Sequence, residues 1–279
     1  MSKKYDNIML ILLLVLFYFL FRSNELMRLS VLSSCELWFT TLVPSMTCMF
    51  ILVDLALNYG LIATFYSIFK NNRVLLVLLC LLLGTPTSTK YVKEFYVNGY
   101  ISKSEAERIL ASFYSPNPLF ILAISPSSSQ ALKLFLFLYI TDLTIYLCFK
   151  KCKDAKKLMV RQKKVSFSKC LMESTEKSFK TLILVLGTII FFGLINTILK
   201  TFIPDNYAPI YIITEMTNAI KILKSTGNFE WLFLAIGFSG LSIHAQIKSI
   251  LDDTDIKYKY FLFGRILASA IALLIILLY

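Results

Sequence analysis

The apolar residues of this chain form long blocks separated by short polar stretches. Four blocks, at 7–21, 132–149, 181–199 and 261–279, are each long enough, or nearly so, to cross the roughly 30 Å hydrocarbon core of a bilayer. Two shorter blocks end at Gly84 and Gly237, and beyond each glycine the chain continues as a polar, helix-forming stretch. The pattern predicts an all-α polytopic membrane protein with two interrupted segments.

The interrupted segments belong to an internal repeat. The pentapeptide RILAS follows them both, at 108–112 and at 265–269. A shift of 140 residues aligns further pairs: Ser34 with Ser174, Glu36 with Glu176, Phe39 with Phe179, Thr41 with Thr181 and Leu42 with Leu182. We therefore divide the chain into repeats 1–130 and 131–279, each with three spanning helices. These helices are expected at 7–22, 35–57 and 104–124, and at 131–149, 175–199 and 259–279.

The interrupted segments, near 74–98 and 229–251, are predicted to be re-entrant helical hairpins. The apolar arm before Gly84 has ten residues, about 15 Å of helix and half a bilayer. The arm before Gly237 is shorter, so neither arm crosses the membrane alone. Irregular backbone at this depth requires surrounding protein or a water-filled cavity. Since the hairpins do not cross, each repeat has three crossings, and the two repeats are inverted relative to each other.

The charges indicate membrane topology. The formal net charge is +12, and the cations lie mostly at the ends of apolar blocks. The densest cluster, at 150–164, lies in a basic loop at 150–170, which the positive-inside rule makes cytoplasmic. This predicts a multi-pass plasma-membrane protein with a cytoplasmic N-terminus and no nucleic-acid partner. The six cysteines form no CxxC pair and have no companion histidines, so we expect reduced thiols, no metal site and no cofactor.

The residues at the two breaks suit a binding site within the membrane. Two helix N-termini that meet there would present backbone N–H groups and positive dipole ends to an anionic or strongly polar solute. The same hydroxyls also suit bonding to helix carbonyls, His244 suits side-chain packing, and Lys90 suits snorkelling to the interface; the sequence leaves these alternatives open. The candidate solute-binding residues are Gly84, Thr85, Pro86, Thr87, Thr89, Lys90, Asn117, Gly237, Ser239, Gly240, Ser242, His244 and Gln246.

Three carboxylates are candidates for ion coupling, because ionisable residues within membrane segments are commonly functional. Glu36 and Glu176 occupy equivalent repeat positions near helix starts, where the helix dipole also favours a carboxylate. Glu215 lies in an insertion of the second repeat and equally suits an interfacial helix. The chain has no HExxH motif, nucleophile elbow, close carboxylate pair or Walker motif, so we do not expect an enzyme.

Two stretches resemble a known family. GTPTSTKYVKEFYVNGYISKSEAERILAS with the Asn-Pro-Leu-Phe-Ile-Leu run at 117–122, and GFSGLSIHAQIKSIL, resemble the two signatures of the YlbJ family of sporulation membrane proteins, and the resemblance extends from about Ser33 onward. The family motif is usually closer to Gly-Tyr-Pro-x-Gly-Ala-Lys, so Thr85, Ser88 and Thr89 depart from it. The motif positions that match are Gly84, Pro86, Thr87, Lys90, Asn117, Gly237, Gly240, Ser242, His244 and Gln246.

The resemblance implies a nucleoside-recognition (Gate) domain and a role in spore cortex formation. Together with the inverted repeat, it favours a transporter or permease-like protein that moves or binds a small polar solute by alternating access. The alternative is a non-transporting membrane scaffold in an envelope or spore-assembly complex. The expected partners are the lipid bilayer and an unidentified small polar solute, and the sequence leaves a homo-oligomer open.

Overall fold

The fold is known from a computed structural model, which describes residues 3–149, 166–203, 208–217, 219–220, 223, 227 and 229–278. This part of the chain is helical throughout, with no strand. The basic cluster at 150–164 lies outside the described residues. The helices are α1 Lys3–Arg22, α2 Asn24–Leu37, α3 Val43–Asn58, α4 Leu61–Phe69, α5 Asn72–Leu83, α6 Thr87–Val97, α7 Lys103–Ser112, α8 Pro118–Ile124, α9 Ser128–Cys148, α10 Phe167–Phe202, α11 Ala208–Thr214, α12 Trp231–Phe238, α13 Gly240–Leu251 and α14 Lys259–Leu278.

Five of the described helical segments are long and apolar enough to cross a membrane. They are Asn24–Asn58, Ser128–Cys148, Phe167–Phe202, Trp231–Leu251 and Lys259–Leu278. Asn7–Arg22 and Asn72–Leu83 are shorter apolar helices. Many large apolar side chains on these segments are exposed, as expected for surfaces that face lipid rather than water. The prediction of a multi-pass, all-α membrane protein is confirmed.

The two longest helical segments pack against each other. One runs from α2 into α3 through a single π-helical turn at Trp38–Leu42, and the other is α10. The π turn directly precedes Pro44, which has no N–H to continue the α-helical bonding pattern. Small buried serines, including Ser34 and Ser174, allow the close approach. The Trp38 side chain Nε1 donates a hydrogen bond to the Leu182 carbonyl at 2.9 Å.

The first break reverses the direction of the chain. Helix α5 ends at Leu83, α6 starts at Thr87, and the two helices pack together. Gly84 between them has a φ of +67°, which side chains rarely tolerate. A Cβ at Gly84 would lie only 2.3 Å from the Asn117 backbone nitrogen. Glycine is therefore required both for the turn and for its contact with the segment that follows α7.

The second break consists of two residues with positive φ. Ser239 and Gly240, with φ of 71° and 67°, separate α12 from α13. Here the two helices together form Trp231–Leu251, one of the five candidate spans by length and composition. The sequence had suggested half-length arms at this break, because the apolar block ends at Gly237. The structure shows that the polar helix after the break adds enough length to reach span dimensions.

The spanning helix predicted at 104–124 is not present as a single helix. The structure has α7, an extended stretch at 113–117, and α8. Pro118 has no N–H and forces the preceding residue out of the helical region. Asn117 accordingly has an extended backbone, and its side chain Oδ1 caps α8 by accepting a hydrogen bond from the Phe120 N–H at 2.7 Å. This part of the first repeat therefore provides no candidate span.

The two copies of the RILAS pentapeptide contact each other, because α7 crosses α14. At the crossing, a Cβ on Gly264 would lie 1.8 Å from the Ala111 carbonyl oxygen. Each copy makes the same internal hydrogen bond, from its serine hydroxyl to its arginine carbonyl, at 2.9 Å in α7 and 2.8 Å in α14. Equivalent elements of the two sequence repeats thus lie against one another in the core.

Candidate functional site

The first break and helix α13, which follows the second break, line one partly open cavity. Its interior is about 30 Å³, and a single water requires roughly 10–15 Å³ on the same measure. The polar lining consists of Thr85 from the first break, Ser242 and Gln246 from α13, and Glu215 and Thr217 from the second-repeat insertion. The remaining lining is largely apolar: Leu42, Met46, Pro86, Pro116, Phe120, Val185, Ile189, Met216 and Ile243.

Thr85 anchors the first break to the extended stretch between α7 and α8. Its hydroxyl donates to the Tyr114 carbonyl at 2.8 Å, and its backbone N–H donates to the Ser115 carbonyl at 3.4 Å. Pro116, the next residue of that stretch, lines the cavity beside Pro86. The wall on this side is therefore built by two irregular segments that satisfy each other's backbone groups.

Glu215 brings a carboxylate to the second break. It is 1% exposed, and its Oε1 accepts a hydrogen bond from the Thr217 hydroxyl at 2.8 Å and a longer one from the Ser242 hydroxyl at 3.4 Å. Gly240 makes this approach feasible, because a Cβ there would lie 2.8 Å from the Met216 backbone nitrogen. The insertion and α13 thus form the second wall of the cavity together.

Gln246 connects the cavity to α10. Its side-chain amide donates to the Thr188 hydroxyl, and its Oε1 has no hydrogen-bond partner among the described residues. Because a buried amide oxygen without a partner is unfavourable, this atom is available to a donor group in the cavity.

Gly240 and three other predicted residues of the second break lie outside the cavity lining. Both ring nitrogens of His244 are hydrogen-bonded. Nδ1 lies 2.6 Å from the Tyr258 hydroxyl, and Nε2 lies 2.9 Å from the Phe238 carbonyl oxygen. Ser239 donates to the Ile236 carbonyl at 3.0 Å, and Gly237 packs against the backbone of α14 at Ala268. These residues shape the break, and for His244 the geometry matches the packing alternative.

Two predicted residues of the first break line a second, smaller cavity of about 10 Å³. Thr87 and Lys90 lie there beside Asp54 of α3 and Lys177 of α10, whose charged groups are 3.4 Å apart. Thr89 is fully buried, and its hydroxyl has no partner in the described part of the chain. The break therefore faces two different polar environments on its two sides.

Two of the three predicted coupling carboxylates point away from these cavities. Glu36 and Glu176 are exposed on the outer faces of α2 and α10, and neither lines either cavity. Their equivalent positions in the repeat reflect the matching helices rather than a shared site.

Sequence reasoning missed a buried polar group on α9. Asp142 is 0% exposed, and its Oδ2 accepts a hydrogen bond from the Ser115 hydroxyl at 2.7 Å. Arg265, also 0% exposed, lies on α14 with its guanidinium carbon 3.1 Å from the centre of the Tyr114 ring. The signal was present, because Asp142 is the one acidic residue within the apolar block at 132–149, and such residues are functional candidates.

Comparison with known proteins places these observations in a family. No family model and no solved structure matches the chain. The sporulation integral membrane protein YlbJ of Bacillus subtilis (strain 168) is 23% identical over 305 residues, with 87% of this chain and 75% of the relative covered. This similarity over most of the chain supports a YlbJ-type family. This confirms the family resemblance, and the YlbJ-type relative is named an integral membrane protein, in agreement with the five candidate spans described above.

Proposed function

We propose that this YlbJ-type protein is a membrane carrier that binds a small polar solute in the cavity between its two breaks. One observation carries the proposal: two interrupted segments about 150 residues apart in the sequence line one partly open cavity that contains Glu215. Paired interrupted segments in the two halves of a transporter are typical of a site near the membrane midplane.

The lining favours a solute that donates hydrogen bonds. The carboxylate of Glu215 and the amide oxygen of Gln246 are acceptors, and the hydroxyls of Thr85, Thr217 and Ser242 can accept as well as donate. A carboxylate in the cavity disfavours an anion, because two like charges would share a poorly solvated space. Of the anionic or strongly polar solutes that the sequence suggests, we therefore favour a neutral or cationic polar solute that carries donor groups and an apolar portion.

The cavity is too small in this conformation for more than a few water-sized groups, so binding requires a more open state. We propose that the two repeats are inverted, that the breaks at 84–86 and 239–240 are re-entrant, and that the repeats move against each other by alternating access. The contacts of α7 with α14 and of α2 and α3 with α10 support a pseudo-twofold arrangement of equivalent elements. The N-terminus and the loop at 150–170 are placed in the cytoplasm.

We further propose a Gate-type nucleoside-recognition domain, a function linked to sporulation, as the name of the relative suggests, and no catalytic activity. Within the described residues, no group of three or more His, Cys, Asp or Glu side chains could hold a metal ion.

Ligand-induced thermal stabilisation tests the proposal. The full chain in detergent is screened against nucleosides, amino acids, phosphorylated metabolites, peptidoglycan precursors and divalent metals. A ligand that binds only the folded state raises the Tm. We expect a stabiliser for the parent that no longer acts on the Ser242→Ala, Gln246→Ala double variant. Ser249→Ala is the matched control, since Ser249 is an exposed serine on the same helix.

The screen also separates the carrier from the scaffold. A compound that stabilises the parent and the double variant equally would show that it binds outside this cavity. A folded protein that responds to none of these compounds would favour the scaffold alternative.

A further inference from the structure

Asp142 on α9, Arg265 on α14, and Tyr114 and Ser115 on the extended stretch form a buried polar cluster. Some donor and acceptor atoms of this cluster have no hydrogen-bond partner among the described residues. Asp142 lies in the Ser128–Cys148 span, and its Oδ1 has no partner among the described residues. Arg265 donates from Nη2 to the Ala111 carbonyl at 2.9 Å, but its Nε and Nη1 have no partner there. The Tyr114 hydroxyl is also without one. Four polar atoms without a protein partner on buried side chains single out this cluster, because such groups are rarely left unsatisfied.

The charges of Asp142 and Arg265 decide which kind of ion this cluster can bind. Asp142 and Arg265 are close enough to interact electrostatically but do not form an ion pair within 4 Å. The carboxylate is instead held by the Ser115 hydroxyl and by the backbone of Tyr114 and Ser115. A metal cation would meet the positive charge of Arg265, and an anion would meet the carboxylate. A proton suits the Asp142 carboxylate, because it removes a buried negative charge that no cation pairs directly.

We infer that Asp142, Ser115, Tyr114 and Arg265 form a proton-binding site that is coupled to the solute cavity; this inference rests on the proposed carrier function. When the Asp142 carboxylate takes up one proton from solvent, the net charge of the cluster changes from zero to +1. That charge crosses the membrane when the carrier changes its orientation. Asp142 thereby takes the ion-coupling role that the sequence analysis gave to Glu36 and Glu176.

Ser115 connects the proton site to the cavity. Its hydroxyl donates to Asp142, its carbonyl accepts the Thr85 N–H, and the next residue, Pro116, lines the cavity together with Thr85. Loss of the negative charge weakens the hydrogen bond from Ser115, because donors bind a carboxylate more strongly than a neutral acid. The extended stretch at 113–117 can then shift, and with it one wall of the cavity.

The other groups around Asp142 do not supply an alternative proton site. Helices α8 and α12 contribute no titratable side chain. Glu105 and Arg108 of α7 are engaged with Tyr146, further along α9. The titratable and charged groups that face Asp142 are Arg265 on α14, Tyr114 on the extended stretch, Cys80 on α5 and Tyr139 on α9 itself.

Infrared difference spectroscopy of the full chain in lipid nanodiscs, recorded between alkaline and acid pH, tests this site without any solute. We expect the band of a buried protonated carboxylic acid to appear on acidification, to be absent in Asp142→Asn and to persist in the exposed control Glu36→Gln. Ser115→Ala should keep the band but move its midpoint to higher pH, because the hydroxyl stabilises the ionised form. Ser115→Thr, which restores a hydroxyl, should return the midpoint towards that of the parent.

The inference would be overturned if the band persisted unchanged in Asp142→Asn. It would also be overturned if the midpoint of the band's pH dependence were the same in Ser115→Ala as in the parent. The Ser115 variants keep the test valid if Asp142→Asn does not fold, because they leave the carboxylate in place. The result is independent of the ligand screen. A proton site without any cavity ligand would contradict the carrier and the coupling but leave the proton site standing. A cavity ligand without the proton site would contradict the inference and leave the carrier standing.

Discussion

At the scale of single residues, the cavity depends on glycines that allow backbones to touch. Gly84 lies against Pro116 and Asn117, and Gly240 lies against Glu215 and Met216. Both have positive φ, so any side chain would be strained in addition to overlapping its neighbour. These two contacts bring the extended stretch and the insertion next to the cavity. Both segments are distant in sequence from the glycine that they contact.

We expect Gly84→Ala to lower the free energy of unfolding by more than the roughly 1–3 kcal/mol that such a sparsely populated backbone conformation costs a non-glycine residue, because its Cβ also meets the Asn117 backbone. Gly187→Ala is the control, since a Cβ at this exposed position of α10 meets nothing within 4 Å. Thermal denaturation in detergent measures both. Equal Tm values for Gly84→Ala and the parent would contradict the described turn.

His244 is expected to act through structure rather than through solute contact. Tyr258→Phe removes the hydroxyl that meets its Nδ1, and we expect a loss of about 1 kcal/mol of stability with an unchanged response to any cavity ligand. Tyr260→Phe, two residues later, is the matched control. A Tyr258→Phe variant with normal stability but lost ligand response would show that the histidine takes part in binding.

The sequence located the breaks but not the direction of every side chain. Thr85, Ser242 and Gln246 were proposed because they are polar residues in the stretches that follow the apolar arms at the two breaks, and they line the cavity. His244 was proposed on the same grounds but turns towards Tyr258. Which face of a helix lies inward depends on tertiary packing. It cannot be read from a single sequence when the apolar residues do not form one clear face at helical spacing. For the same reason, the inward direction of Asp142 was missed.

At the scale of elements, the closest contact in the core is the crossing of α7 and α14. Arg108 lies over the Tyr146 ring at 3.7 Å, and Arg265 lies over the Tyr114 ring at 3.1 Å. The two copies of the pentapeptide thus use their arginines in the same way, as cations placed on a tyrosine face. Sequence identity between the copies is therefore matched by similar local interactions.

We expect Gly264→Ala to separate α7 from α14 and to lower the Tm strongly, because the added Cβ would lie 1.8 Å from the Ala111 carbonyl oxygen. Backbone atoms cannot move aside as a flexible side chain can. Ala270→Leu, at an exposed position of the same helix, should be tolerated, since its side chain points to lipid. A stable Gly264→Ala variant would contradict the crossing.

Most helices of this fold could be predicted from the lengths of the apolar blocks. The exception, the spanning helix expected at 104–124, failed because two prolines, Pro116 and Pro118, frame Asn117 and impose an extended backbone. The crossing of α7 and α14 could not be predicted either, because identical pentapeptides indicate homologous positions and not contact between them.

At the scale of the whole molecule, surface ion pairs join the two repeats. Lys93 of α6 lies 2.5 Å from Asp253, and Lys103 of α7 lies 2.8 Å from Asp255, which also accepts a hydrogen bond from the Tyr96 hydroxyl at 2.6 Å. The hydrogen bond from Lys93 holds the pKa of Asp253 below its ordinary value. The hydrogen bonds from Lys103 and then Tyr96 do the same for Asp255.

The sign of these pKa shifts sets a pH dependence. A carboxyl whose pKa is lowered by folding stabilises the fold above its unfolded pKa, about 3.9 for Asp, and loses this contribution as pH falls through the folded value. We expect Asp253→Asn, Asp255→Asn to have a slightly lower Tm than the parent at neutral pH, since exposed pairs contribute little. The difference should vanish in acid. A difference that is constant with pH would contradict the assignment.

The central claim is that the cavity between the breaks opens to each side of the membrane in turn. We would replace the six native cysteines, introduce Ser242→Cys, and add a membrane-impermeant thiol reagent to right-side-out or inverted vesicles. We expect labelling from both sides, and no labelling of the control Ser34→Cys, because Ser34 is buried where α2 packs against α10. Labelling of Ser242→Cys from one side alone, or from neither, would contradict a carrier.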